Sequence, residues 1–354
     1  MARSSSSMSL KNRIFKMTLV KQEHGGDPQT LEDHYGRPKQ GWLDLSTGIN
    51  PQPYVPRKLD LENWGSLPSA SSLSKLRRAA ATCYGVSNPN LITAAPGTQS
   101  LIQWLPRMRP SGNVSVISPT YNEHALCWHN AGHKVIEANN LKHVEKNSDV
   151  VIVVNPNNPD GQQHEPKDLK RLAESQAKKG GWLIVDEAFC DVSPELSIAS
   201  SVGLPGLIVL RSFGKFYGLA GLRLGFAISD PAIAESFSSL LGPWAVSTPA
   251  IMIGEVALLD IEWRQQTLLQ LKLASERLDE VLKAFNLEVV GGTYLFRLVS
   301  TSRRGAIYQS LAERGIMVRQ FRLEPKWLRF GLPGNEESWQ RLESALTHHK
   351  DREN

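Results

Sequence analysis

Cysteine is scarce: the 354 residues hold three, Cys83, Cys127 and Cys190, far apart and without a CxxC pair. That argues against a disulfide framework and a thiolate zinc site, and it points to a reducing cytoplasm. Long apolar runs are missing too. A helix needs about 20 consecutive apolar residues to span a bilayer, and no stretch of this chain supplies them, so no membrane partner is expected. Acid is missing from one place. Residues 1 to 22 carry Arg3, Lys11, Arg13, Lys16 and Lys21 and no Asp or Glu, so the formal charge of +5 resides there. Without those five, the basic residues equal the 35 acids in number, and the remainder lacks the basic footprint of a nucleic-acid binder. The same 22 residues are Ser-rich with no continuous apolar stretch, and read as a disordered extension, or as lying upstream of a start at Met17, ahead of a targeting peptide. His124, His129 and His133 are close in sequence but match no zinc spacing and find no Cys or acidic partner to complete a site, so no metal is expected.

What is present is alternation. From about residue 90, short apolar runs follow one another: "LITAA", "NVSVISP", "VVIVVNP", "GWLIVDEAF", "GLIVLRS" and "RLGFAIS". Rich in Val and Ile and bounded by Gly, Pro or Asn, they predict buried strands. Helical stretches between them, such as "PKDLKRLAESQAKK", complete the pattern of an α/β fold with a mainly parallel sheet. After "GPWAVSTPA" the texture changes to long helical periodicity, then to three expected strands, "LEVVGGTYLFRLV", "GIMVRQF" and "WLRFGLP", around "GAIYQSLAER". The length suits one large domain and a smaller one. The expected boundaries are an extension over 1–22, an arm over 23–45, a large domain over 46–249, a connecting helix over 250–275 and a small α+β domain over 276–354.

In an open parallel sheet, ligands sit beyond the carboxyl ends of the strands. That rule selects "APGTQS", "PTYNEH", "NPNNPDG", "DEAF" and "SFGK", five loops expected to converge on one crevice. Two residues in them carry reactive chemistry. Lys215 stands between an apolar run and a glycine-punctuated stretch, where a lysine needs a partner or a role. Asp186 emerges from a buried strand. A lysine in a low-dielectric pocket can bond covalently to an aldehyde, and an acid can keep a pyridine nitrogen protonated. Together they describe a pyridoxal phosphate site.

"NPNNPDG", "DEAF" and "SFGKFYGLAGLRLG", in this order, resemble the signature of fold type I pyridoxal phosphate enzymes, in the branch around histidinol-phosphate aminotransferase. From "HGGD" through "LDLSTGINP", "PTYNEHA", "GPWAVSTPA" and "LRFGLPG", about residues 23 to 345, the closer resemblance is to the threonine-phosphate decarboxylases of cobalamin biosynthesis. It implies an aspartate aminotransferase-like architecture, pyridoxal 5'-phosphate as cofactor, and a homodimer with active sites at the subunit boundary. Lys215 is then the covalent anchor, Asp186 the partner of the ring nitrogen, Tyr121 the aromatic face stacked on the ring, and Asn158 the donor to its phenolic oxygen. Backbone N–H groups of Thr98 and Gln99 at a helix start, the Ser212 hydroxyl and the Arg223 guanidinium suit the cofactor's phosphate. On the substrate side, Arg319 and Arg329 suit two anionic ends, and His24, Gly25, Asn50 and Asn158 match positions near a phosphorylated substrate.

Three departures from the aminotransferase branch stand out. Phe189 occupies a position where that branch usually has Tyr, Leu67 stands where a neighbouring subunit's Tyr reaches the cofactor phosphate, and Gly214 stands where relatives often carry Ser or Thr. The reaction implied is decarboxylation of L-threonine O-3-phosphate to (R)-1-amino-2-propanol O-2-phosphate and CO2, with Lys215 as general acid. The rivals are a histidinol-phosphate-type aminotransferase and, of another class, a non-catalytic regulator built on the same fold. Twenty-two loosely basic residues cannot form the helix-turn-helix that such a regulator carries.

Overall fold

The computed structural model describes residues 24–57 and 62–351. The expected extension over residues 1 to 22 lies outside them. Strands are numbered along the chain, beginning with β1 (Leu43–Leu45). A seven-stranded sheet follows, built from β2 (Ile92–Ala95), β3 (Asn113–Ile117), β4 (Lys134–Ala138), β5 (Val150–Val154), β6 (Trp182–Asp186), β7 (Leu207–Ser212) and β8 (Gly225–Ile228). Its spatial order is β2-β8-β7-β6-β5-β3-β4, and only β8 runs antiparallel to its neighbours. This is the expected α/β architecture with a mainly parallel sheet.

Six of the seven strands are the apolar runs picked from the sequence. Central strands bury both faces, so successive residues enter opposite cores. Val151, Val153, Leu183, Val185 and Val209 pack on one side of the sheet, and Val150, Ile152, Ile184, Ile208 and Leu210 on the other. The seventh, β4, was not anticipated. It is the edge strand "KVIEA", with Lys134 and Glu137 exposed between buried Val135 and Ala138, so it shows no continuous apolar run.

The smaller sheet has the order β1-β11-β12-β10-β9, where β9 is Glu288–Thr293, β10 Phe296–Ser300, β11 Ile316–Gln320 and β12 Trp327–Gly331. The run "LEVVGGTYLFRLV", expected as one strand, is a hairpin of β9 and β10. The hydroxyl oxygen of Thr293 accepts the Leu295 N–H at 3.1 Å inside its turn, a local bond that a straight strand would not make. β1, from the stretch expected as an arm, pairs in parallel with β11. Across 250–275 the chain passes through two helices, Thr248–Leu259 and Ile261–Ala284. Asp260 separates them and caps the second, its carboxylate accepting from Trp263 N–H at 3.0 Å. Among the described residues no helix is long and apolar enough to cross a membrane.

Candidate active site

β7 ends at Ser212 and turns at once into a four-residue helix, Phe213–Phe216. Its aromatic residues plug into the core: Phe213 and Tyr217 stack at 4.3 Å between ring centres, and Tyr217 stacks on Trp263 at 5.6 Å. With those rings fixing the helix from below, Lys215 is left partly exposed between two fully packed neighbours, which explains a lysine in so apolar a segment. Asn50 holds the turn from the other side. Its N–H donates to Lys215 O at 3.0 Å, its Nδ2 donates to Phe216 O at 2.9 Å, and its Oδ1 accepts from Gln52 N–H at 2.9 Å. Asn50, expected to approach the substrate, thus has its amide engaged with backbone at both ends.

The Lys215 ammonium is lowered to about 8, first by desolvation and then by the charge of Arg329, with Asp186 opposing and Arg223 adding to the repulsion. A lysine in that range holds a useful share of neutral, nucleophilic amine near neutral pH. Its Nζ lies 5.7 Å from the centre of the Phe189 ring. Phe189 is itself buried against Phe296, ring centres 5.1 Å apart, and Gly48 fits between them because a Cβ there would lie within 3 Å of both rings.

Asp186, the last residue of β6, is buried and doubly held. Its Oδ2 lies 2.8 Å from His124 Nε2, and its Oδ1 accepts from Ala188 N–H at 3.0 Å. In the sequence His124 was weighed only as a metal ligand, and its contact with Asp186 is one that the residue pattern did not reveal. His129 is exposed and His133 binds Pro106 O at 2.8 Å, so the three histidines do not converge. Among the described residues no group of three or more side chains is placed to hold a metal.

Tyr121, half-buried after β3, donates its hydroxyl to Gln99 Oε1 at 3.1 Å. Burial raises its pKa, the charges of Glu123 and Asp186 raise it further, and the phenol stays protonated. The anion donors lie together at the adjoining strand ends. Ser212 pairs across the sheet with Gly225, and a Cβ on Gly225 would sit 2.6 Å from Thr98 N. Gly97, with φ +80°, opens the helix Thr98–Trp104, and Arg223 lies so close that a Cβ on Gly97 would be 2.5 Å from its Nη2. Only glycine accepts both that backbone conformation and that approach. Thr98, with Gln99 next in the chain, Ser212 and Arg223 are therefore neighbours at the ends of β7 and β8.

Arg329 is buried on β12, with Arg319 directly opposite it on β11. It donates from Nη1 to Asn158 Oδ1 at 2.5 Å and from Nη2 to Ser46 O at 2.8 Å, and its buried Nε has no partner among the described residues. Burial, with Arg319 adding repulsion and Asp44 opposing, lowers its pKa to about 9. No described carboxylate forms an ion pair with it, so a buried guanidinium is left short of an anion. The "HGGD" segment docks on the same Ser46: Gly26 N–H donates to its Oγ at 2.8 Å, and Gly25 packs so closely that a Cβ would meet that Oγ at 2.6 Å. His24 reaches Glu123, Nε2 to Oε1 3.3 Å. Leu67 is exposed and far from polar, and Gly214 abuts Ala220, leaving no room for a larger residue.

An amine of lowered pKa, a buried carboxylate, an aromatic face and an anion cradle fit pyridoxal phosphate. The fold and the site together define a fold type I pyridoxal phosphate enzyme. The chain belongs to the class I and II aminotransferase family, whose description matches residues 41–346, and is with it a pyridoxal phosphate-dependent enzyme. It is 42% identical over 332 residues to a threonine-phosphate decarboxylase of Pseudomonas aeruginosa, covering 93% of this chain and 98% of that one. A second threonine-phosphate decarboxylase, from a Sinorhizobium species, is 41% identical over 91% of this chain and 97% of its own. Among solved structures, a histidinol-phosphate aminotransferase from Sinorhizobium meliloti in complex with pyridoxal-5'-phosphate superposes with a TM-score of 0.81 at 20% identity, over 98% of this chain and 100% of that one. An L-threonine-O-3-phosphate decarboxylase from Porphyromonas gingivalis gives 0.73 at 20% identity, over 87% and 99%. At those identities the structures speak for the fold.

Proposed function

We propose that the protein decarboxylates L-threonine O-3-phosphate to (R)-1-amino-2-propanol O-2-phosphate and CO2, supplying the aminopropanol linker of cobalamin, and acts as a cytoplasmic homodimer. The observation that carries this reading is near-full-length identity of 41–42% to two threonine-phosphate decarboxylases, against 26% to a histidinol-phosphate aminotransferase over 88% of the chain.

Bound at Lys215, pyridoxal phosphate supplies an electron sink that weakens whichever bond of the substrate's α-carbon stands across its ring plane. The chain's own residues choose that bond. Arg329, short of an anion, takes one anionic end of the substrate; Arg319, opposite it, and His24, on the docked arm, take the other. Asn158, held by Arg329, would offer its amide N–H to the cofactor's phenolic oxygen. Lys215 nitrogen, near its own pKa at neutral pH, delivers a proton to the α-carbon once the carboxylate has left. Asp186, anchored by His124 and Ala188, would hold its carboxylate at the ring nitrogen. The Phe189–Phe296 pair places an apolar wall beside Lys215, and apolar surroundings favour loss of a charged carboxylate as neutral CO2.

The test is incubation of purified holoenzyme with phosphothreonine and no keto-acid acceptor. Stoichiometric CO2 release is expected; no release, with transamination in a parallel incubation that contains glutamate and a keto acid, would establish the aminotransferase instead.

A further inference from the structure

Glu123 is the first residue of the helix Glu123–Asn130, is 9% exposed, and joins two parts of the site. Its Oε2 accepts from Gln99 Nε2 at 3.1 Å, and its Oε1 lies 3.3 Å from His24 Nε2 on the N-terminal arm. The opposite end of the Gln99 amide, Oε1, accepts the Tyr121 hydroxyl at 3.1 Å. A carboxylate can only accept; an amide has one donating and one accepting end; a neutral phenol can do either. With the carboxylate at its head, the chain has one direction: Tyr121 donates to Gln99, and Gln99 donates to Glu123.

We propose that Glu123 is a positioning residue that fixes the direction of this hydrogen-bond chain, locking the Tyr121 ring against the cofactor site while it docks His24 of the arm at the substrate side. The proposal rests on the cofactor and substrate reading given above. Its physical content is a loss of uniqueness when the carboxylate goes. In Glu123→Gln the new amide can donate to Gln99 Oε1, and Gln99 can turn its NH2 toward Tyr121. The phenol must then accept that bond, and its own proton seeks another acceptor, so the ring no longer has a single tilt. His24 loses a charged acceptor at the same time.

A purely electrostatic role predicts the reverse outcome. Removing a negative charge beside a phosphate-bearing substrate should tighten binding. A purely structural role predicts a lower melting temperature with unaltered site properties.

The experiment compares wild type, Glu123→Gln, His24→Ala, their double variant and Gln99→Ala as holoenzymes. The readouts are circular dichroism in the visible band of the bound cofactor, KM and kcat for phosphothreonine, and melting of the cofactor-free proteins. In Glu123→Gln, the cofactor band should change in amplitude and KM should rise about tenfold with a smaller effect on kcat, as expected for a lost charge-assisted hydrogen bond. His24→Ala should raise KM similarly, and the double variant should fall short of the product of the singles. Gln99→Ala removes the middle link with no change at Glu123 and should alter the same band, which keeps the test open if Glu123→Gln folds poorly. A cofactor band superimposable on wild type in both single-link variants, or a KM that falls in Glu123→Gln, overturns the proposal. If the wild type colours with cofactor but releases no CO2 from phosphothreonine, the reaction reading fails, and the spectral comparison still decides the role of Glu123.

Discussion

Arg329 on the small sheet donates to Oδ1 of Asn158, in the loop after β5 of the large sheet, at 2.5 Å. Because a guanidinium has no acceptor, it fixes which end of the Asn158 amide points toward it, and Nδ2 is turned elsewhere as a donor. One contact therefore joins the two sheets, orients the amide proposed to meet the cofactor and leaves a buried cation in need of an anion. Arg329→Gln keeps a donor for Asn158 but removes the charge. It should lower kcat/KM about 100-fold, the size expected for losing charge-assisted bonds to a substrate anion, mainly through KM. Steady-state kinetics on phosphothreonine checks it, and an unchanged KM would remove Arg329 from substrate binding.

Lys215 gives a pH signature. Its folded-state pKa is about 8 against 10.5 for a free lysine, so between those values the unfolded chain binds more protons than the folded one. Stability of the cofactor-free protein attributable to this group therefore rises from pH 8 toward 10.5, and below 8 the desolvated ammonium carries its full cost. Lys215→Met should melt higher than wild type at pH 7, with the gap closing as pH rises through that window. The rate at which an amine reagent labels Lys215, followed by peptide mapping, should level off near pH 8 while surface lysines go on accelerating. A labelling profile that tracks the surface lysines would contradict the desolvated pocket.

The central strands were legible because burial on both faces leaves unbroken runs of Val, Ile and Leu, as in β5 and β6. β4 was not, since Lys134 and Glu137 leave only two consecutive apolar residues in it, and β1 was not, since three residues carry no period. In the site, Lys215 and Asp186 were visible as charges at the ends of apolar runs. His124 and Glu123 were not, because "PTYNEHALCWHN" is a mixed polar stretch with no periodic cue. Their roles depend on where the turn after β3 lands beside β6 and the Thr98–Trp104 helix, a relation that sequence neighbours do not encode. Asn50 is the opposite case: a residue selected for the substrate that holds the backbone of the lysine turn.

His124 should act through Asp186. Replacing it with Leu leaves Asp186 Oδ2 buried without its partner, and an unsatisfied buried acceptor costs about 1–3 kcal/mol. His124→Leu should lose cofactor on dialysis about tenfold faster than wild type, with Lys215 still competent for reduction by borohydride when cofactor is supplied in excess. Equal retention in both proteins would show that Ala188 N–H alone suffices to hold the carboxylate.

The homodimer is testable on an apolar face. Trp64, Leu67, Trp244, Val256, Leu259 and Ile261 are all exposed, an unusual density of large apolar side chains for a surface that stays in water. The segment bearing Trp64 and Leu67 is tied to the start of the helix bearing Val256 and Leu259, with Thr248 Oγ1 donating to Ser66 O at 2.9 Å, so the two segments are neighbours. A second copy, related by a two-fold axis, covers such a face with the same face. Val256→Asp places a charge in that contact, far from Lys215 in sequence and outside the hydrogen-bond networks of the site. It should convert a dimer to a monomer in sedimentation equilibrium and reduce turnover, because the resemblance places the sites at the subunit boundary. A wild-type protein that sediments as a monomer at assay concentrations while fully active would end that reading and leave the exposed face without its partner.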